Sequence, residues 1–354
     1  MALSSAVAGW VRAFFPPRSN AGNASCAFRL FKLNWKISNG YKRGARQMTL
    51  QEKILNPFVP VTLFEVVPPA ADQPEAIDES LMELKRVVPF VDGINVPEIL
   101  DEARGTERTS KFVARVEPRL LGSRIQRELG AEVVLNRVVV HDPKPEVWFR
   151  ETCLERGMRQ VILVGGESAK VRYPGPNVME AAGLVRREGL PVTLGGITIP
   201  SRRNESERIR AKNKAGLDFF TSQVLFDSND VVWLVQRLNG LQVRLFLSFA
   251  PVSHRRDLQF LRWLGGDIPQ NLDRFLLGSA DGAAAPAATC LARSLDLAQR
   301  ILMDVFDNLP PDPPLLGLNI EHINRRNFSP AIKMLDRLGN LYANLMAQHA
   351  RSLS

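Results

Sequence analysis

Residues 160–197 read QVILVGGESAKVRYPGPNVMEAAGLVRREGLPVTLGGI and contain a complete strand–helix–strand pattern. The runs QVILVGG at 160–166 and PVTLGGI at 191–197 are rich in apolar residues, and a helical stretch near 177–188 lies between them. Strands that are apolar on both faces are typical of a parallel sheet that helices cover. The stretch therefore predicts a parallel βαβ unit.

The same alternation runs from Pro60 to a last predicted helix near 329–348. The predicted strands are 61–67, 91–96, 133–140, 160–166, 191–197, 218–226, 242–249 and 315–323. Eight such units favour an α/β fold of the (β/α)8 TIM-barrel type, as a single catalytic domain over 48–354. A doubly wound open sheet is the alternative, but EVVPP at 65–69 cannot form the GxGxxG turn that usually follows its first strand. The interval 267–313 is expected to depart from regular barrel topology.

Positive charge is concentrated at the amino terminus. The sequence has a net charge of +9, and the basic residues that precede its first acidic residue, Glu52, are Arg12, Arg18, Arg29, Lys32, Lys36, Lys42, Arg43 and Arg46. The remainder is near neutral, so we expect no nucleic-acid partner. Residues 1–47 are interpreted as a basic leader, either a mitochondrial transit peptide or sequence upstream of a start at Met48. The expected location is the cytoplasm, or the mitochondrial matrix if the leader is a transit peptide.

The cysteines and histidines show no spacing typical of a metal site. Cys26, Cys153 and Cys290 lie far apart and predict reduced thiols. The four histidines, His141, His254, His322 and His349, show no HExxH-type spacing, so we expect no protein-bound catalytic metal. No apolar run approaches the ~18 residues that a membrane span requires, so no membrane segment is expected.

Three polar residues interrupt or end predicted strands. Glu65 lies within VTLFEVVPP, where burial would raise the pKa of its carboxyl toward that of a general acid. The alternative is a Glu paired with an interior Arg or Lys. Asn95 and Gln223 carry amides, which suit recognition of a heterocycle with mixed hydrogen-bonding edges; a satisfied interior hydrogen bond is their alternative.

Two further segments suggest anion binding. VGGES at 164–168 places a glycine pair at a strand end, where backbone N–H groups can approach a phosphate, although such pairs often serve only a tight turn. Arg202 and Arg203 precede a helix that begins near Glu205, and arginines there can clamp a diphosphate. A charged solvent face is the alternative reading of this helix.

Four ordered motifs carry a family resemblance. They are FEVVPP at 64–69, KAGLDFFTSQVLFD at 214–227, FAPVSH at 249–254 and INRRN at 323–327. Together they resemble the methylenetetrahydrofolate reductase family, and the match covers residues 60–348. The chain is similar to a divergent, short member with the catalytic barrel alone.

The resemblance implies an oxidoreductase of one-carbon metabolism and methionine biosynthesis. Such enzymes use FAD to pass hydride from NADH or NADPH to 5,10-methylenetetrahydrofolate, a tetrahydrofolate substrate. The resemblance assigns Glu65 as the general acid and Gln223 and Arg325 to the folate; Asn95 joins the folate site from its own position at a strand end. On the cofactor side the resemblance places Arg137, Gly165, Gly166, Glu167, Glu205 and Lys212, and Arg202 joins them as part of the predicted diphosphate clamp.

The sequence departs from the family pattern on the flavin side. Val164, Gly165 and Gly166 replace the usual Arg-Gly-Asp, and TIPSR at 198–202 replaces a longer loop that helps to hold the flavin. A folate-binding barrel or partner subunit that lacks FAD and has no reductase activity of its own is therefore the alternative. Whether the chain forms a homo-oligomer or joins a partner reductase subunit stays open.

Overall fold

The computed structural model describes residues 48–73, 75–101, 112–166, 171–278 and 285–352. The predicted leader at 1–47 lies outside these residues. Within the described ranges, no helix is both long enough and apolar enough to cross a membrane.

The described chain alternates strands and helices. The strands are β1 (Thr62–Val66), β2 (Gly93–Val96), β3 (Val133–Val138), β4 (Gln160–Val164), β5 (Thr193–Thr198), β6 (Phe219–Ser222), β7 (Arg244–Phe249) and β8 (Leu315–His322). The α-helices are α1 (Leu50–Leu55), α2 (Ala76–Leu84), α3 (Pro118–Arg124), α4 (Pro145–Arg150), α5 (Val178–Arg187), α6 (Glu205–Lys214), α7 (Ser228–Arg237), α8 (Arg255–Trp263), α9 (Gln270–Leu277), α10 (Ala287–Asp307) and α11 (Phe328–Ser352). Single π-helical turns extend α3 and α4 at Ile125–Leu129 and Glu151–Glu155.

The eight strands form a closed barrel in sequence order. Every neighbouring pair is parallel, and β8 pairs with β1 to complete the ring. This confirms the predicted (β/α)8 barrel. The predicted departure from regular topology is also present, because α9 and α10 both follow α8 before the chain enters β8.

Large side chains fill the lower half of the barrel interior. They belong to one buried cluster, which includes Leu63, Val134, Ile162, Phe219 and Phe246 from five different strands. Glycines on the intervening strands make room for them. A Cβ on Gly195 would lie 2.5 Å from the Phe219 ring, and one on Gly317 would lie 2.4 Å from the Phe246 ring. The interior is therefore a packed core at this level, as in other barrels of this type.

Helix α1 closes the amino-terminal end of the barrel. Its residues Leu50 and Ile54 pack into the same cluster. The fully buried guanidinium of Arg244, at the start of β7, donates hydrogen bonds to the main-chain carbonyls of Ile54, Asn56 and Leu316. Since a buried cation is tolerated only when its donors are satisfied, these bonds fix α1 against the barrel floor. The polar interior described below lies toward the opposite, carboxyl-terminal end.

Candidate functional site

A layer of mostly polar side chains lies directly above the apolar core. Side chains alternate along a strand, so the residue two positions after each core residue also faces the interior. We call the resulting set the polar layer: Glu65, Asn95, Asn136, Thr221, Ser248 and Asn319. On β4 and β5 the corresponding positions are apolar, and Val164 and Ile197 pack against the core below.

Four oxygen atoms of the polar layer are buried without a hydrogen-bond partner among the described residues. They are Oδ1 of Asn95, Oδ1 of Asn136, Oγ1 of Thr221 and Oδ1 of Asn319. Leaving one such group unsatisfied costs about 1–3 kcal/mol, so native proteins rarely leave several together without a functional reason. These acceptors indicate a place where a bound molecule supplies the donors.

Two of the three amide donors of the layer, those of Asn95 and Asn319, are already engaged. Nδ2 of Asn95 donates to Oε2 of Glu65 at 2.7 Å, and Nδ2 of Asn319 donates to Oγ of Ser248 at 3.0 Å. The amide orientations are thereby assigned by these bonds, and the acceptor oxygens are left to face the ligand space. The layer therefore favours a ligand that is rich in N–H groups.

Glu65 lies in surroundings that favour its protonated form. Burial raises the pKa of its carboxyl well above the ordinary value, the negative charge of Glu321 raises it further, and hydrogen bonding by Asn319 lowers it. The Asn95 amide donates a hydrogen bond to it, and no Lys or Arg of the described chain forms an ion pair with it. The interior ion pair considered as the alternative for Glu65 is therefore not observed, and the carboxyl can donate a proton at neutral pH.

Glu321 is a second buried carboxyl, and the sequence analysis did not single it out. It lies on β8 directly across from Glu65 in the β1–β8 register. Burial raises its pKa to about 7, and hydrogen bonding by Ser248 opposes that shift. A signal was present in the sequence, because Glu321 interrupts the apolar run LLGLNIEHI much as Glu65 interrupts its own strand.

Arg137 does not lie in the barrel interior. It follows Asn136 on β3 and therefore faces outward, where its guanidinium is 5.0 Å from the centroid of the Trp148 ring. It also forms ion pairs with Glu98 and Asp142. The structure corrects the predicted cofactor-side placement of this residue, since a shift of one position along a strand reverses the face. The interior residue at this level of β3 is Asn136.

Gln223 and Arg325 both follow strands at the carboxyl-terminal end but do not converge. Nε2 of Gln223 donates to the carbonyl oxygen of Leu264 at 2.7 Å, which ties the segment after β6 to the turn after α8. The Arg325 side chain is 67% exposed and forms an ion pair with Glu79 on α2. Arg325 is thus directed toward the helix layer and solvent, away from the polar layer.

Glu205 and Lys212 attach α6 to the end of β5. The fully buried Glu205 carboxylate accepts hydrogen bonds from Oγ1 of Thr198 at 2.9 Å and from the main-chain N–H of Ile199 at 3.2 Å. Nζ of Lys212 donates to the carbonyl oxygen of Ile197 at 2.8 Å. Both side chains bond to the protein itself, which does not place them as ligands of a cofactor, and Oε2 of Glu205 is buried without a partner among the described residues.

The glycine pair after β4 serves the local loop. A Cβ on Gly166 would lie 2.3 Å from the Tyr173 ring, so Gly166 admits that ring in place of a ligand. Gly165 leaves β4 beside it, Arg202 is exposed, and Glu167 lies outside the described residues. With Arg137, Glu205 and Lys212 engaged elsewhere, the described residues do not fit the predicted flavin site.

No group of His, Cys, Asp and Glu residues suited to a metal ion occurs in the described part of the chain. Cys153 and Cys290 are buried free thiols. Cys26 belongs to the leader outside the described residues.

Comparisons with known proteins bear on the fold. No protein-family model and no curated protein matches the sequence. Among solved structures, an uncharacterized protein from Clostridium thermocellum that binds two copies of 5-methyl-5,6,7,8-tetrahydrofolic acid is similar, with a TM-score of 0.64 and 18% identity over 82% of this chain and 99% of that chain.

Two enzymes show weaker similarity. A 2,3-dimethylmalate lyase of the PEP mutase/isocitrate lyase superfamily has a TM-score of 0.44 and 13% identity, over 81% of this chain and 85% of that chain. A dihydropteroate synthase from Xanthomonas albilineans has a TM-score of 0.41 and 14% identity, over 80% and 92%. At these identities the comparisons establish the barrel fold and nothing finer.

Proposed function

We propose that this barrel binds a reduced folate at its polar layer and reduces 5,10-methylenetetrahydrofolate to 5-methyltetrahydrofolate, with hydride from NADH or NADPH. The observation that carries the proposal is Glu65, a buried carboxyl that accepts a hydrogen bond from Asn95, has a raised pKa, and lies among side-chain oxygens that lack partners in the described residues. The folate ligand of the Clostridium thermocellum barrel supports the choice of ligand class.

The acceptor-rich layer matches the chemistry of a reduced pterin. Such a ring presents an exocyclic amino group and ring N–H groups along its edge, and each is a hydrogen-bond donor. The unpartnered oxygens of Asn95, Asn136 and Asn319 are acceptors that these donors can satisfy. Val164 and Ile197 add an apolar wall on the opposite strands, as is common in pockets for flat heterocycles.

Glu65 would supply the proton that opens the methylene bridge. The bond between N10 and the bridging carbon breaks, N10 keeps the electron pair and takes the Glu65 proton, and the N5 lone pair forms an N5 iminium. Hydride from the reduced nicotinamide then adds to the bridging carbon and gives the N5-methyl group. A positioned general acid typically contributes 10²- to 10⁴-fold in rate. No step is assigned to FAD, because the described residues do not fit its predicted site.

The test compares three forms of the full-length protein. NADH and NADPH oxidation is followed with 5,10-methylenetetrahydrofolate for wild type, Glu65→Gln and Glu155→Gln, an exposed glutamate far from the layer in sequence. We expect Glu65→Gln to lose roughly 10²- to 10⁴-fold in kcat and the control to match wild type. Full activity of Glu65→Gln would remove the acid assignment.

A folate-binding barrel without reductase activity of its own is the second candidate, favoured by the engaged state of Arg137, Glu205 and Lys212. The visible spectrum of the purified protein, alone and after incubation with FAD, tests flavin binding directly. A colourless protein that binds 5-methyltetrahydrofolate but oxidises neither nicotinamide supports this second function. A stoichiometric flavin spectrum would instead restore FAD to the proposal and require rearrangement of those residues.

A further inference from the structure

The two interior carboxyls of β1 and β8 form a neighbouring pair. Glu65 and Glu321 are Cα partners across the parallel β1–β8 ladder, and both are buried. The Asn319 amide lies beside the pair: its Nδ2 donates to Oγ of Ser248 at 3.0 Å and to Oε1 of Glu321 at 3.5 Å. Two carboxyls placed so closely in a low-dielectric interior resist simultaneous ionisation, so they share their protons as a unit.

No positive side chain neutralises this pair within the described ranges. On the β7 side, Ser248 is neutral, and Asp257 at the start of α8 accepts hydrogen bonds from the main-chain N–H groups of Ser253 and His254. On β8 itself, His322 faces outward, edge-on to Phe328, and burial lowers its pKa to about 4. Arg325, beyond the strand end, is paired with Glu79.

The ionisation of the two carboxyls is linked. The register sets the two buried side chains next to each other, and the charge of Glu321 is one cause of the raised pKa of Glu65. A charge on Glu321 therefore opposes ionisation of Glu65. Environments that push two acids apart in this way commonly separate an acid from an electrostatic stabiliser.

We infer that Glu321 is the ionised partner of Glu65: its carboxylate keeps Glu65 protonated and faces the positive charge that develops on N5 of the folate. The inference rests on the proposed function and extends it to a second residue. As the N10 bond breaks, Glu65 gives up its proton and the positive charge of the iminium forms beside the Glu321 carboxylate. A fixed carboxylate there stabilises the iminium and requires no solvent reorganisation.

The first test measures the titration of Glu65 and Glu321 without any substrate. Infrared absorption of protonated carboxyl C=O groups is titrated against pH in the full chain for wild type, Glu321→Gln, Glu65→Gln and Glu155→Gln. In Glu321→Gln the remaining buried acid, Glu65, should lose its proton at lower pH than in wild type, because the repelling charge is gone. Glu155→Gln should leave the titration unchanged. An unaltered Glu65 titration in Glu321→Gln would overturn the inference.

The second test reads turnover. Glu321→Gln should lower kcat by roughly 10²-fold, move the alkaline limb of the pH profile to lower pH, and leave KM for the nicotinamide unchanged. Glu321→Asp, which keeps the charge, should recover part of the rate; circular dichroism verifies that both variants fold. Unchanged kcat in Glu321→Gln would overturn the iminium role.

The two readouts separate the inference from the function beneath it. If Glu65 and Glu321 of wild type titrate as a coupled pair but the protein reduces no folate, the proposed function and the iminium role are both wrong. Only the sharing of protons between the two carboxyls is then supported. If wild type reduces folate and the titrations are independent, the function stands and the inference fails.

Discussion

The polar layer and the β5–α6 junction both bury polar side chains, but they differ in what satisfies them. At the junction, Oε1 of Glu205 accepts hydrogen bonds from Thr198 and Ile199, and Lys212 donates to Ile197, while Oε2 of Glu205 is buried without a partner among the described residues. In the polar layer, four oxygens from four different strands have no partner in the part of the chain that the structure describes. Unsatisfied groups that converge from several strands therefore indicate a ligand site more strongly than a single unsatisfied atom does.

The largest expected effect is on the pH dependence of stability. The pKa values of Glu65 and Glu321 are raised in the folded state above the ordinary value of 4.5, so the unfolded chain releases protons at pH values where the folded barrel keeps them. The free energy of unfolding should therefore fall as pH rises from about 4.5 toward about 7, by up to ~1.4 kcal/mol per pH unit for each proton. Urea denaturation at several pH values in this range should show that the free energy of unfolding falls less steeply with pH in Glu321→Gln than in Glu155→Gln. Equal slopes would contradict the raised pKa of Glu321.

Disrupting the β5–α6 junction should lower the free energy of unfolding without changing folate affinity. Glu205→Leu leaves the Thr198 hydroxyl and the Ile199 N–H without an acceptor, which should lower the free energy of unfolding by about 2–3 kcal/mol. Glu207→Leu, on the exposed side of the same helix, is the matched control. Calorimetric binding of 5-methyltetrahydrofolate should give the same Kd in both variants. A selective loss of affinity in Glu205→Leu would move the ligand to this junction.

A substitution in the polar layer should have the opposite effect: it should weaken folate affinity without lowering the free energy of unfolding. Asn136→Leu removes an acceptor that lacks a partner, so the unfolding free energy should hold or rise. Folate affinity should weaken by roughly 10-fold, since a ligand donor loses its acceptor. Denaturation and calorimetry on the same sample provide both values. A destabilised variant with unchanged affinity would make Asn136 a structural residue.

The smallest effect is expected at Arg325. Its ion pair with Glu79 is exposed to solvent, and such pairs contribute about 0–1 kcal/mol. Arg325→Ala should therefore lower the free energy of unfolding by less than about 1 kcal/mol. It should change the folate Kd by less than ~3-fold. A tenfold weaker Kd would return Arg325 to the folate site, where the family resemblance assigns it.

The barrel was predictable from the sequence because its signal is local and repeated. Each strand is an apolar run, and Glu65 and Asn95 stand out as polar residues within such runs. Whether a strand side chain points inward or outward is harder to predict from the sequence, because it depends on the register of the whole barrel. Asn136 and Arg137 are adjacent, yet only the first faces the interior. Glu321 becomes significant only when β8 closes against β1.

The partners of long polar side chains were not predictable for a related reason. The family resemblance implies ligand roles for Glu205 and Lys212. The same positions are equally compatible with bonds to the end of β5, and only the packing of α6 decides between them. The same holds for Gln223, whose amide reaches a turn about forty residues further along the chain. Helix α9 was also missed, because it lies in the irregular segment between α8 and α10.

A crystal structure of the protein with 5-methyltetrahydrofolate would show whether the polar layer binds the folate. We expect the pterin within the barrel mouth, with its N–H groups bonded to oxygens of Asn95, Asn136 or Asn319 and the Glu65 carboxyl beside it. A folate bound only on the outer rim, with water filling the space above Leu63 and Phe246, would mean that the polar layer is not the folate site.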